Sequence, residues 1–123
     1  MDEMKIYIGH STSMEYRKKL YQPLKNSRIS RKHELVLPHD SDGLFNSKRF
    51  LREGCDLFVA EVSRDSTGLG IELGWADEFG VNVICVAEAG SDPSEALKAV
   101  SDKFMFYSTP EELVKLVENE LEK

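Results

Sequence analysis

The stretch that decides the fold is Asp56-Leu57-Phe58-Val59-Ala60-Glu61-Val62, followed by Ser63-Arg64-Asp65-Ser66-Thr67-Gly68-Leu69-Gly70-Ile71-Glu72-Leu73-Gly74 and then Val81-Asn82-Val83-Ile84-Cys85-Val86-Ala87. The first and last runs are nearly continuous in apolar residues. That pattern is expected of parallel strands covered on both faces, not of strands with one wet side. Between them Ile71, Leu73, Trp75, Ala76 and Phe79 mark a helix, with Gly80 placed to stop it as a C′ glycine. Strand, helix, strand in so few residues is a βαβ unit, and it sets the reading of the rest.

Working outward, the residues around Ile6, Tyr7 and Ile8 form a first strand ending at Gly9, and 34–37 a second closed by Pro38. Residues 104–107 form a weaker fifth strand. Met14, Leu20, Tyr21 and Leu24 give a first helix, with Pro23 ending or kinking it. Phe45, Phe50 and Leu51 give a short second helix. Asp92-Pro93-Ser94-Glu95 and Thr109-Pro110-Glu111-Glu112 both read as capping boxes with Pro at the first helical position, opening a fourth and a fifth helix. The expectation is an α/β chain with a flavodoxin-like three-layer sandwich, a five-stranded parallel sheet of order 2-1-3-4-5, and one domain over residues 1–123. Ligands in such sheets bind beyond the carboxyl ends of the strands where the strand order reverses, here between the first and third strands. Two loops meet there, 9–14 and 63–72.

Composition narrows the class. The chain has 123 residues, 41% hydrophobic and 31% charged. That is one domain's worth of chain, too apolar for disorder, without an apolar run of ~18 residues to span a membrane. Residues 1–5 do not read as a signal peptide, so the expectation is a soluble, cytoplasmic protein. The net charge is −6, but residues 1–64 carry +3 and residues 65–123 carry −9. An acidic chain is poorly suited to duplex nucleic acid. The basic run from Arg17 to Lys32 reads as a solvated helix face. Cys55 and Cys85 do not form a CxxC pair, and His10, His33 and His39 show no metal-ligand spacing.

The loops at the reversal point carry the chemistry. Ser66, Gly68 and Gly70 supply a hydroxyl and close backbone approach for an anion or a sugar oxygen, without the dinucleotide fingerprint or a Walker lysine. Glu72 reads as a first-turn helical carboxylate kept ionised by the helix dipole. It is either an ordinary helix residue or a nucleophile able to form a glycosyl ester at an anomeric carbon.

The run from Asp56 to Ala76, followed by Gly80-Val81-Asn82-Val83-Ile84, resembles the core motif of the nucleoside 2-deoxyribosyltransferase family, including its 2′-deoxynucleoside 5′-monophosphate N-glycosidase branch. Tyr7-Ile8-Gly9-His10-Ser11 and Val36-Leu37-Pro38-His39 extend the similarity more loosely. The resemblance implies an enzyme, a transferase or a glycosidase, whose Glu72 attacks C1′ of a deoxyribose. It further implies a sugar- or phosphate-binding set of Tyr7, Gly9, Ser11, Ser66, Gly68 and Gly70, with no metal or organic cofactor. Small-molecule nucleosides or nucleotides are the implied partners, together with a second copy in a homodimer or larger oligomer; Met14, Trp75 and Phe79 are either interface residues or ordinary helix–sheet packing. The sequence departs from the pattern at two places. Lys48 stands where the family carries an Asp that protonates the base or orients the carboxylate, and Ser13 stands at the phosphate-binding Arg of the nucleotide branch. Asp40, Asp42 and His39 are the candidate replacements as general acid. The alternative function is a non-catalytic nucleotide-sensing domain of the same fold. A phospho-receiver needs acidic residues at the ends of strands one and three, where Gly9 and Ser63 stand.

Overall fold

In the computed structural model, which describes residues 2–40 and 43–123, the decisive stretch forms β3 (Leu57–Glu61), every residue of it buried. The other strands are β1 (Lys5–His10), β2 (Glu34–Val36), β4 (Val83–Glu88) and β5 (Phe104–Tyr107). All pair in parallel, in the order β2-β1-β3-β4-β5. Helices α1 (Gln22–Lys25), α2 (Ile29–Lys32), α3 (Ser47–Glu53), α4 (Thr67–Glu78) and α5 (Pro110–Leu121) cover the sheet.

Strand alternation divides the interior into two layers. Ile6, Ile8, Leu57, Val59, Ile84 and Val86 face one way, against Leu20, Leu24, Ile29, Leu113 and Val117 of the helical segments on that side. Tyr7, Phe58, Ala60, Val83, Cys85 and Ala87 face the other way, against Leu51 of α3 and Leu69, Leu73 and Ala76 of α4. Both faces being dry explains why β3 and β4 read as unbroken apolar runs.

The ends of α4 and α5 follow the capping rules. Gly80 takes φ +72° after α4. The Val81 N–H bonds the Ala76 carbonyl at 2.9 Å and the Gly80 N–H the Asp77 carbonyl at 3.2 Å, which is the Schellman arrangement. Thr109 caps α5, its hydroxyl accepting from the Glu112 N–H at 3.1 Å. The fourth helix differs from expectation. It is a 3₁₀ turn, Glu95–Ala99, capped by Ser94 rather than Asp92. The chain first turns back on itself after β4, the Ser91 N–H bonding the Glu88 carbonyl at 3.1 Å, and the capping hydroxyl then comes two residues later than expected, opening a tighter turn.

The first helix is also not one helix. A π-turn over Arg17–Tyr21 runs into α1, with Pro23 in its first turn where its missing N–H costs nothing, and α2 follows after a break. Met14, expected among interface residues, is buried in the core (5% exposed). Trp75 and Phe79 are half-buried against the α3–α4 layer. Among the described residues, no helix is long and apolar enough to cross a membrane.

Candidate functional site

Tyr7 lies on β1 facing the α3–α4 layer, and α4 brings Glu72 to it. The Tyr7 hydroxyl donates to Glu72 Oε2 at 2.5 Å. Phe45 stacks on the Tyr7 ring at 6.0 Å between centroids, and Phe50 and Phe58 pack beside it at 5.9 and 5.0 Å. Burial pushes the Glu72 carboxyl above its ordinary range; the Tyr7 and Ser47 hydroxyls and the nearby His39 pull it partly back. Burial, reinforced by the charge of Glu72, holds the Tyr7 phenol well above its usual value, so it remains a donor.

This electrostatic picture corrects the expectation for Glu72. Helix α4 begins at Thr67 and its first turn holds no acidic residue; Glu72 falls in the second turn. The helix dipole acts within the first turn, so what governs Glu72 is desolvation and the tyrosine.

A second polar group forms across the two loops. Ser11 is buried, its Oγ 2.8 Å from Ser13 Oγ and accepting the Ser13 N–H at 3.1 Å. Arg64, from the β3–α4 loop, spans the gap and donates from Nη1 to the Ser13 carbonyl at 2.6 Å. Ser66 is the N-cap of α4, accepting from the Leu69 N–H at 3.3 Å. Gly68 and Gly70 are exposed inside α4, not in a loop, and a Cβ on either would meet nothing. Gly9 differs. A Cβ there would stand 2.5 Å from the Phe58 ring and 3.0 Å from Leu69, so β1 has no room for a side chain against α4.

The remaining candidates separate. His39 is exposed at the end of the β2 segment, close enough to Glu72 to act on its charge. Its ring lies 5.4 Å from His10 and 5.7 Å from Tyr16. Asp40 pairs with Lys25 at 2.7 Å. Asp42 lies outside the described residues. Lys48 sits over the Trp75 ring at 5.5 Å.

Four features were not singled out from the sequence: Ser47 beside the carboxylate, Arg64 bridging to residue 13, the buried Glu61, and the cluster of His10, Tyr16 and Tyr21. His10 donates from Nδ1 to the Ser11 carbonyl at 3.0 Å. Its Nε2 accepts from the Tyr21 hydroxyl at 2.7 Å, which itself accepts the His39 N–H at 3.1 Å. Burial lowers the His10 pKa to about 4, so the ring is a neutral strut rather than a proton donor. Arg64 had one signal, its place two residues before the capping serine. A cleft of about 420 Å³ runs along the other flank of α4, lined by Arg64, Ser66, Thr67, Gly70, Ser94 and Leu97; neither Tyr7 nor Glu72 lines it.

Cys55 and Cys85 are free thiols. Burial raises the pKa of each to about 11, which leaves them unreactive. Among the described residues, no group of acidic, His or Cys side chains is arranged to hold a metal ion.

No protein-family model matches the chain, and neither does any curated protein. Solved structures do. A 2-desoxiribosyltransferase from Leishmania mexicana is 16% identical, with 94% of this chain and 97% of that one aligned at a TM-score of 0.64. The CMP N-glycosidase BcmB from Clostridium botulinum is 21% identical over 93% and 98% of the two chains, at a TM-score of 0.66. A conserved protein from Enterococcus faecalis V583 is 14% identical over 96% and 99%, at 0.65. The chain shares, over nearly its whole length, the flavodoxin-like parallel-sheet fold of a deoxyribosyltransferase and a nucleotide N-glycosidase.

Proposed function

We propose that the chain cleaves or transfers at the N-glycosidic bond of a 2′-deoxynucleoside, with the 5′-monophosphate as preferred form, through a covalent ester on Glu72. The observation that carries this reading is the Tyr7–Glu72 pair at the place where the strand order reverses. Tyr7 engages Oε2 and leaves Oε1 to attack C1′ of the sugar. As the C1′–O bond forms, the bond from C1′ to the base nitrogen breaks and its electron pair stays on the base. A proton passes from His39 to the base. Water or a second base then attacks C1′, gives a proton back to His39, and releases Glu72 as a carboxylate. A 2-deoxy sugar supports the oxocarbenium-like transition state that this needs.

The preference for a monophosphate rests on Arg64. Its guanidinium, held against the Ser13 carbonyl, brings a cation to the loop that carries the Ser11 and Ser13 hydroxyls although residue 13 itself is serine. Ser66 and Gly68 at the start of α4 add a hydroxyl and a backbone N–H for the sugar or phosphate, whereas the Gly70 N–H is already taken by the Ser66 carbonyl at 3.0 Å and Gly70 contributes only an open surface. Gly9 keeps β1 close to α4, and the two free, unreactive thiols suit a cytoplasmic setting. Leu44, Phe45, Ile71 and Phe106 are exposed large apolar side chains that a second copy of the chain could cover.

The fold likeness adds support, since two of the similar structures are named for deoxyribosyl transfer and CMP N-glycosidase activity. The test is chromatographic: purified protein incubated with each 2′-deoxynucleoside and its 5′-monophosphate, with and without a second base. Base release or exchange supports the reading; none with any substrate refutes it. One observation favours the alternative of a non-catalytic nucleotide-binding domain, namely Lys48 held over Trp75 where the family motif has an acid. Saturable thermal stabilisation by nucleotides without base release would select that alternative.

A further inference from the structure

Glu61 is 1% exposed at the end of β3 and is not part of the chemistry above. Its Oε1 accepts the Ser63 N–H at 2.8 Å, and its Oε2 accepts the Ser63 hydroxyl at 2.8 Å and the Tyr107 hydroxyl. Ser63 Oγ in turn accepts the Glu88 N–H at 2.7 Å. One buried carboxylate therefore fastens the turn after β3 to the ends of β4 and β5. A buried carboxylate is costly unless its lone pairs are met, and here three donors converge on it. A purely apolar residue would satisfy the core equally well and would leave the Ser63 N–H unmet. The next residue along the chain is Arg64, the cation that bridges to Ser13.

We propose that Glu61 is a positioning residue: by clamping Ser63 it fixes where the chain leaves β3, and so holds the Arg64 guanidinium against the β1 loop, which sets affinity for the anionic end of the ligand. The inference rests on the monophosphate reading above. Before Ser63 the buried Val62 donates its N–H to the Val86 carbonyl at 2.8 Å. Beyond Ser63, Arg64 and Asp65 are exposed and the next internal anchor is the Ser66 cap, so the Glu61–Ser63 clamp is the last fixed point before Arg64. Arg64 and the Ser13 it reaches are 51 residues apart in sequence, and the register pairing of Glu61 with His10 on β1 is what brings their two loops side by side.

The experiment uses Glu61→Gln and Ser63→Ala in the full chain. Gln keeps the shape but supplies one acceptor oxygen in place of two; Ser63→Ala leaves the carboxylate and removes the hydroxyl. Steady-state kinetics on a 2′-deoxynucleoside 5′-monophosphate and on the matching nucleoside give the first readout. The expected result is a KM for the monophosphate raised about tenfold, the loss of one charge-assisted contact, with kcat and the nucleoside KM unchanged. Equal losses on both substrates would mean a merely structural role and overturn the proposal. The second readout is the Arg64 side-chain Nε–H signal in ¹⁵N-edited NMR, assigned with Arg64→Lys. It is expected to shift and sharpen toward that of a free arginine in both variants. If the wild type turns over neither substrate, the functional reading fails but the NMR arm still decides: an Arg64 signal unmoved in both variants overturns the role of Glu61. Should Glu61→Gln not fold, Ser63→Ala alone carries both readouts.

Discussion

Replacing Tyr7 by Phe removes one oxygen and leaves the ring packed among Phe45, Phe50 and Phe58, so its effect reports the hydroxyl's contacts, chiefly the bond to Glu72 and with it the lesser one to Ser47. A hydrogen bond to a charged group is worth ~1.5–3 kcal/mol, and since Glu72 is only part-buried, water can take some of the role, which favours the lower end, ~1.5 kcal/mol. For a chain this size that is a fall in Tm of roughly 4–6 °C. The pH dependence sharpens the test. Burial already leaves the folded-state pKa of Glu72 above its unfolded value. The folded state thus holds more protons between those two values, and stability falls as pH rises through that interval. Removing the tyrosine hydroxyl, which pulls the pKa down, raises it further. The deficit of Tyr7→Phe should therefore be small at acid pH, where Glu72 is protonated in both proteins, and reach its full size above the variant's folded pKa. Urea unfolding at a series of pH values, with Glu72→Gln and the double variant completing a cycle, measures it. A deficit that is the same at every pH, or a coupling energy below ~0.5 kcal/mol, would refute the reasoning.

Further outcomes follow from the same geometry. Gly9→Ala forces a methyl against the buried Phe58 ring and should cost ~1–3 kcal/mol in urea unfolding, with Tyr7 displaced and activity lost alongside. Gly74→Ala, in open space on α4, should instead stabilise the protein by ~0.5–1 kcal/mol through helix propensity, readable as a higher Tm. Arg64→Ala should weaken binding of a 5′-monophosphate, made visible as steep loss of the salt dependence in titration calorimetry, while leaving nucleoside binding as it was.

The parallel sheet was legible because its cause is local: β3 and β4 are covered on both faces, and their sequences are apolar at every step but the last, where Glu61 and Glu88 stand. The end of α4 at Gly80 and the start of α5 at Thr109 were legible for the same reason, since capping depends on a few adjacent residues. The start of α4 misled. A Ser-rich, Gly-rich segment reads as loop, yet Ser66 caps a helix that already contains Gly68 and Gly70, and this moves Glu72 from the first turn into the second. Asp92 misled similarly, because Ser94, two residues on, offers an equally good capping hydroxyl and is the one used. The contacts that shape the site were hidden for a different reason. Tyr7 with Glu72, Arg64 with residue 13, and Glu61 with Tyr107 join residues far apart in sequence, and only strand order and register bring them together. A pattern of spacing carries no trace of such pairs.

The proposed chemistry turns on a covalent bond between Glu72 and the sugar. Rapid acid quenching of the protein with a 2′-deoxynucleoside 5′-monophosphate, followed by intact and peptide mass spectrometry, tests it directly. A deoxyribosyl phosphate adduct is expected on the peptide bearing Glu72, absent from Glu72→Gln, which should also release no base. Base release by Glu72→Gln at the wild-type rate, or an adduct located on any other residue, would contradict it.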